Sequence, residues 1–368
     1  MTVCRAAHAA AAHWTEAAVL CAEQLEGQDA GRPGGGLGFI YATDSFAEAL
    51  PEITGYLRKA TGVESWVGTV GFGICAMGRD YFDQPAVSVL IADLPRESFR
   101  VMEMVHDAGA GAIAAGDDPS FGVVHGDPRN TDIAGLIEGL AEQSNGYLVG
   151  GLTSSRGGFP QVTRDIAEGG LSGALLSSDV PVVTALSQSC EPLGPYHDVT
   201  ECEDNIVIEL DGRSAVDVFA EDVVVGLGNE ISDLSDVVLA AFPVVGSDTG
   251  DYLARQLVGF DSERGVIGVN QQLSHGDRMM FCRRDRAAAE RDFERMLTNL
   301  KDRLSSPPKG GLYYSCLARG PNLFGATSWE VNAIRNALGD FPLTGFFCNG
   351  EISHNRLYTF TGVLSLFA

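Results

Sequence analysis

The chain has 368 residues, 45% of them apolar and 20% charged, and a net charge of −24 at pH 7. That length exceeds one ordinary domain and that composition can build a sizeable core, so disorder is excluded as the main state and two domains are expected. The acidic balance excludes a non-specific nucleic-acid binder, which needs basic patches to meet phosphates, and speaks against docking on anionic lipid.

Taken in chain order, Trp14, Ala17, Cys21 and Leu25 recur at helical spacing and predict an amphipathic helix over 5–26. Glu16, Glu23 and Glu26 interrupt it, so it does not read as a signal peptide. Arg32–Gly36 (RPGGG) is a joint. A strand is expected over 37–43, then a helical stretch with Phe46, Leu50, Ile53 and Leu57 on one face, split by Pro51. Strands follow at 65–71 and 86–92, and helices at 96–106 and 131–143. Further strands cover 121–125, 147–152, 171–176, 181–188 and 205–210. The apolar run 237–246 is broken by Pro243 and is too short to cross a membrane. Strands at 266–270 and 278–282 precede a helix over 286–304. A loop at 305–311, a strand at 312–316, a helix over 329–338 and strands at 343–347 and 358–366 close the chain.

The two halves match element by element. Residues 121–125 correspond to 312–316, helix 131–143 to 329–338, 148–151 to 343–346, and 171–176 to 360–365. Four matches in one order predict an ancient duplication and two pseudo-repeated lobes. The expected fold class is α/β (α+β), each lobe a mixed, largely antiparallel sheet with flanking helices. The expected division is an N-terminal helix and linker at 1–36, one domain at 37–225 and a second at 226–368.

Motifs for common chemistries are missing or out of context. Gly71-Phe-Gly73-Ile-Cys-Ala76 has the spacing of a dinucleotide turn, but Gly78 and Pro85 follow where a helix would have to open. There is no P-loop, no H-E-x-x-H and no C-x-x-C, so neither a metal nor a cofactor is expected. The eight cysteines read as free thiols in a reducing cytoplasm. Cys190 and Cys316 each end a strand beside a turn, and Arg319 near Cys316 would favour a thiolate. A nucleophile would also need a histidine, with His275 and His354 the nearest in sequence. In Asn205-Ile-Val-Ile-Glu209-Leu-Asp-Gly212, apolar residues on both faces predict a partly buried Glu209, and Asp211-Gly212 makes a turn. Glu351 follows another strand end, in Phe346-Phe-Cys-Asn-Gly-Glu351.

These runs together resemble the bacterial FIST (F-box and intracellular signal transduction) sensory proteins. The resemblance is carried by Ser189-Cys-Glu-Pro-Leu-Gly194, Asn205 to Gly212 with Ala215, and Gly276-Asp277 with Phe281-Cys-Arg-Arg-Asp285. It continues through Ser315-Cys316, Arg319-Gly-Pro-Asn-Leu-Phe-Gly325, Gly345 to Ile352, and Asn355 to Leu364. It covers roughly 37–368 and implies a FIST N-terminal and a FIST C-terminal domain in a cytoplasmic module that binds small molecules such as amino acids. Relatives are often fused to signalling outputs, and a eukaryotic branch carries an F-box. This chain leaves no room for either. It also has Leu317-Ala318 in place of a more usual polar and glycine pair, and Ser189 where a glycine often precedes Cys190.

The reading is recognition of a small metabolite, with no turnover, feeding signal transduction. Arg319 can grip a carboxylate with its planar fork and Glu351 can accept an ammonium, which suits a zwitterion. Gly320, Gly345 and Gly350 let backbone groups approach the ligand. Cys316, Cys190, Asn205 and Glu209 complete the expected ligand-binding set. Expected partners are an amino acid-like molecule and a signalling protein, with a homodimer among the admitted assemblies; neither nucleic acid nor membrane is expected. Two alternatives stand beside this reading. One is an enzyme using Cys316 or Cys190 on an amide or thioester. The other is a scaffold that recruits a protein.

Overall fold

A computed structural model describes residues 3–28, 35–107, 119–227, 238–244 and 251–368. The chain divides into two compact units: residues 1–187 with 293–368, and residues 188–292. The first unit is therefore discontinuous, and the sequence boundary at 225 falls inside a helix of the second, Ala215–Leu227. Most of the joint at 32–36 lies outside the described residues, as do the ends of the 237–246 run.

The first unit opens with β1 (Val3–Ala10), α1 (Trp14–Glu26), β2 (Leu37–Thr43), α2 (Leu50–Thr61) and β3 (Ser65–Gly71). A hairpin follows, β4 (Gly73–Ala76) and β5 (Arg79–Phe82), and then β6 (Ala86–Asp93). The order recurs, without a counterpart of α1 among the described residues: β7 (Phe99–Val101), β8 (Pro119–Gly126), α3 (Ile133–Ser144), β9 (Tyr147–Leu152), the hairpin β10 (Gln161–Val162) and β11 (Ile166–Ala167), and β12 (Leu171–Ser177). After β13 (Val182–Gln188) the second unit intervenes. It holds β14 (Cys190–Pro192), β15 (His197–Glu203), β16 (Ile206–Leu210), β17 (Arg213–Ser214) and α4 (Ala215–Leu227). It goes on with β18 (Val238–Pro243), β19 (Tyr252–Asp261), β20 (Val266–Val269) and β21 (Arg278–Arg284). The long helix α5 (Arg286–Arg303) leads to a third copy in the first unit. This comprises β22 (Gly310–Cys316), the short α6 (Pro321–Phe324), α7 (Trp329–Leu338), β23 (Leu343–Cys348), the hairpin β24 (Glu351–Ser353) and β25 (Arg356–Tyr358), and β26 (Thr361–Phe367).

The mixed α+β class holds, and the expected repeat is present with one more copy than the sequence showed. In each copy two strands joined through a helix lie parallel (β2 with β3, β8 with β9, β22 with β23), and the last strand pairs antiparallel with the first of them. The hairpin between does not stay at home. β10–β11 of the second copy pairs with β3, β24–β25 of the third pairs with β9, and β4–β5 of the first pairs with β23. The exchange closes in a ring of three six-stranded sheets.

Burial follows from this arrangement. Along β2, Phe39 and Tyr41 face a core shared with Val123 and Val149 of the second sheet and Tyr314 and Phe346 of the third. Ile40 and Ala42 face α1 and α2. Strands covered on both faces read as unbroken apolar runs, as Leu37–Thr43 does. The parallel pairs also meet at a common point: a Cβ on Gly68, Gly150 or Gly345 would lie 1.8, 1.8 or 1.7 Å from the carbonyl oxygen of Ile40, Val124 or Tyr313. Only glycine fits such an approach. One residue beyond each carbonyl stand Tyr41, His125 and Tyr314, all fully buried. Tyr41 Oη lies 3.0 Å from His125 Nε2 and 2.9 Å from Tyr314 Oη, so the three equivalent positions form one hydrogen-bonded centre. Burial lowers the His125 pKa to about 3 and pushes both phenols up, so this centre is neutral.

Two predicted helices are corrected. Residues 3–10 are a strand, paired along its whole length with β6 from Val3↔Asp93 to Ala10↔Ala86, and the helix begins only at Trp14. The stretch 96–106 is one 3-10 turn, Arg96–Ser98, followed by β7, which pairs with β12. The predicted strand 358–366 is broken between β25 and β26, where Phe360 takes a φ of 62°.

Candidate functional site

In open α/β arrangements ligands bind beyond the carboxyl ends of parallel strands. Here β2 and β3 end side by side at Thr43 and Gly71. Beyond them opens a cavity of about 420 Å³ whose walls include Thr43, Asp44, Phe72, Asp83, Gln84 and Arg156. That volume is within the range of small-molecule sites, ~300–1,000 Å³. Arg156 comes from the loop after β9. Its Nε and Nη2 donate to Asp44 Oδ2 and Oδ1 at 2.8 and 2.9 Å, and its backbone N–H donates to Oδ2 at 3.0 Å. Its Nη1 is 3.5 Å from Asp83 Oδ1, and Cζ lies 5.1 Å over the Phe72 ring. The Asp44 side chain is 5% exposed and that of Arg156 58%. Burial pushes the Asp44 carboxyl up, but the Arg156 hydrogen bonds outweigh it and hold it below its ordinary value. Asp83, at 86% side-chain exposure, offers a second carboxylate at the rim.

The other two strand ends use the same parts, half-exposed at the second and fully enclosed at the third. After β8, buried Asp127 accepts Arg129 Nε at 3.0 Å and Nη2 at 2.6 Å, with that arginine lying over Phe159. After β22, Arg319 is fully buried between Phe293 and Phe324, and its Nε donates to Glu330 Oε1 at 2.9 Å. Glu330, from α7, also accepts the Tyr313 hydroxyl, the Ser315 hydroxyl and the Gly320 N–H at 2.5, 3.0 and 3.2 Å.

The expected site residues therefore separate. Arg319 and Gly320 serve the Glu330 knot, and Gly345 serves the close strand approach at Tyr313. Gly350 accepts the Leu152 N–H at 2.8 Å and, at φ 130°, packs against Leu357. Glu351 is buried and accepts the Thr361 N–H and hydroxyl at 3.1 and 2.8 Å. Burial lifts its carboxyl to about 8. Cys316 lies beside it with its thiol pushed up by burial and by the Glu351 charge, the reverse of an activated nucleophile. His354 stands 5.2 Å from the Tyr147 ring, and His275 is exposed in the second unit. Cys190, Asn205 and Glu209 lie in the second unit, with β21 and β15 between β14 and β16. Asn205 Nδ2 donates to the Val269 carbonyl at 3.0 Å, and Glu209 is half-buried opposite Ser214. Asp211 makes the expected turn and also accepts from His197, whose ring bridges it to Asp222 at 2.7 and 3.0 Å.

Sequence reasoning missed Asp44 and Arg156. The signals were a carboxylate directly after a largely apolar strand, Thr43-Asp44-Ser, and an arginine in the polar, glycine-rich run Ser154-Ser-Arg156-Gly-Gly. Among the described residues no cluster of three or more potential metal ligands occurs, and no helix is long and apolar enough to cross a membrane.

Comparison with known proteins agrees with the motifs. The FIST N domain matches residues 36–213 and the FIST C domain residues 215–354. An uncharacterized protein of Mycobacterium tuberculosis is 31% identical over 371 residues, covering 96% of this chain and 95% of its own. Another, of Mycobacterium bovis, is 30% identical over 379 residues with the same coverage. Both domains in order, with relatives similar over nearly their full length, make the chain a member of the FIST family, whose domains are the sensory parts of signal transduction proteins.

Proposed function

We propose that the protein senses an amino acid or a related small carboxylate bound in the cavity beyond β2 and β3, and passes its occupancy to a signalling partner. The observation that carries this reading is Arg156. Asp44 holds it by one edge of its fork, so the guanidinium is positioned before any ligand arrives and little side-chain freedom remains to be lost. A carboxylate can meet its outer edge, an ammonium can meet Asp83, and Phe72 supplies an apolar wall. The zwitterion chemistry expected of Arg319 and Glu351 thus passes to a pair at an open strand end. The buried thiol of Cys316 speaks against the enzyme reading.

The test is a melting-temperature screen of amino acids, their decarboxylated amines and their deaminated acids. A ligand at 100-fold over its Kd stabilises by about 2.7 kcal/mol, a rise of several degrees. The full amino acid should stabilise most. Asp83→Asn should weaken binding of the amino acid and leave the deaminated acid unaffected. Equal loss for both ligands would remove Asp83 from the site.

A further inference from the structure

Cys190 and Cys282 are distant in sequence and meet in the second unit. β14 pairs antiparallel with β21, Cys190 opposite Arg284 and Pro192 opposite Cys282. Residues two apart on a strand share a face, so both cysteines stand on one side of the ladder as diagonal neighbours. The Cys282 thiol is within hydrogen-bonding reach of Cys190. Both are free thiols; Cys190 is half-buried and Cys282 is buried. Diagonal partners sit ~7–8 Å apart at Cα, whereas a disulfide takes ~4.4–6.8 Å. Bridging them therefore takes a small shift of the backbone, and the strand that must shift is short and lies at a sheet edge. β14 is three residues long and, among the described strands, stands at the end of its sheet beside β21. Its Cys190 carbonyl accepts the Tyr252 hydroxyl at 2.6 Å, and Glu191 accepts Arg283 Nη2 at 2.9 Å, so side chains hold it at both residues. The neighbour of the Cys190 sulfur is thus a second thiol, an arrangement suited to redox chemistry.

We propose that Cys190 and Cys282 form a peroxide-responsive dithiol that closes to a disulfide, giving the second unit a sensory input of its own. In the first step the Cys190 sulfur attacks one oxygen of a hydroperoxide such as hydrogen peroxide. An S–O bond forms, the O–O bond breaks, and the leaving hydroxide takes up the thiol proton as water, leaving a sulfenic acid. The Cys282 sulfur then attacks the sulfenic sulfur. The S–S bond forms, the S–O bond breaks, and hydroxide leaves with the Cys282 proton as a second water. Two thiols lose two electrons in all, and the peroxide gains them. Exposure sets the order, because peroxide reaches half-buried Cys190 before enclosed Cys282.

The experiment treats the reduced full-length protein with hydrogen peroxide, then counts thiols in denaturant and maps peptides without reduction. The expected result is loss of two of the eight thiols, an intact mass lower by about 2 Da, and a linked peptide pair containing Cys190 and Cys282, all restored by dithiothreitol. In Cys282→Ser the reaction should stop at a sulfenic acid on Cys190, trapped by dimedone. A bridge joining other cysteines or separate chains would overturn the proposal. So would wild-type protein that accumulates Cys190 sulfenic acid without a bridge, or that keeps all its thiols. The wild-type map decides the matter even where the serine variant fails to fold.

Discussion

Replacing Arg319 with methionine separates a structural arginine from a ligand clamp. Methionine keeps an apolar stem between Phe293 and Phe324 but leaves the Glu330 carboxylate, 1% exposed, without its cation. Donors from Tyr313, Ser315 and Gly320 remain, so the carboxylate stays solvated by protein but its charge is uncompensated. Breaking a buried pair in this way costs about 3–5 kcal/mol. In a unit of this size each kcal/mol moves the melting point by about 2–4 °C, so a drop on the order of 10 °C is expected. Adding Glu330→Gln removes the stranded charge and keeps an acceptor for Tyr313, so the double variant should recover most of the loss. Calorimetry of the two single variants and the double completes the cycle. Arg319→Met melting within about 1 °C of wild type, or losses that simply add, would refute the reasoning.

Two further outcomes follow from the fold. Gly68→Ala places a Cβ 1.8 Å from the Ile40 carbonyl oxygen at a φ of 152°, a clash between backbones that no side-chain rotation relieves. It should cost about 3 kcal/mol or more in chemical denaturation, and a cost under about 1 kcal/mol would disprove the close approach. Glu351, lifted by burial to about 8, has a folded pKa above its unfolded value of about 4.3. Its contribution is therefore full below about pH 4.3 and is lost as the pH rises through about 8. Wild type should lose more stability than Glu351→Gln between about pH 5 and about pH 9, and parallel curves would show that the carboxyl does not titrate there.

The legible parts of the fold are those where a residue's own neighbours decide its state. Leu37–Thr43 is buried on both faces and reads as an apolar run, and α3 shows Ile133, Leu136, Ile137 and Leu140 as one stripe. Residues 3–10 misled because alanine suits a helix, whereas the strand is imposed by a partner at 86–93. The stretch 96–106 misled in the same way, since β7 exists only through its pairing with β12. The exchanged hairpins were invisible: strands of two to four residues, such as β10 and β4, carry no measurable period. The first copy of the repeat escaped because its likeness lies in topology and in Gly68, not in a shared string of residues. At the site, Arg319 attracted notice as an arginine in a turn. Only coordinates place it against Glu330, and only coordinates bring Arg156 to Asp44 across 112 positions of sequence.

Titration calorimetry of the strongest stabilising amino acid tests the central claim most directly, on wild type, Arg156→Ala and Arg319→Met, each confirmed to melt cooperatively. The account predicts that Arg156→Ala weakens binding at least ~10-fold, equivalent to about 1.4 kcal/mol, while Arg319→Met binds as wild type despite its lower melting point. Full affinity in Arg156→Ala with loss in Arg319→Met would place the ligand at the third strand end and contradict the account.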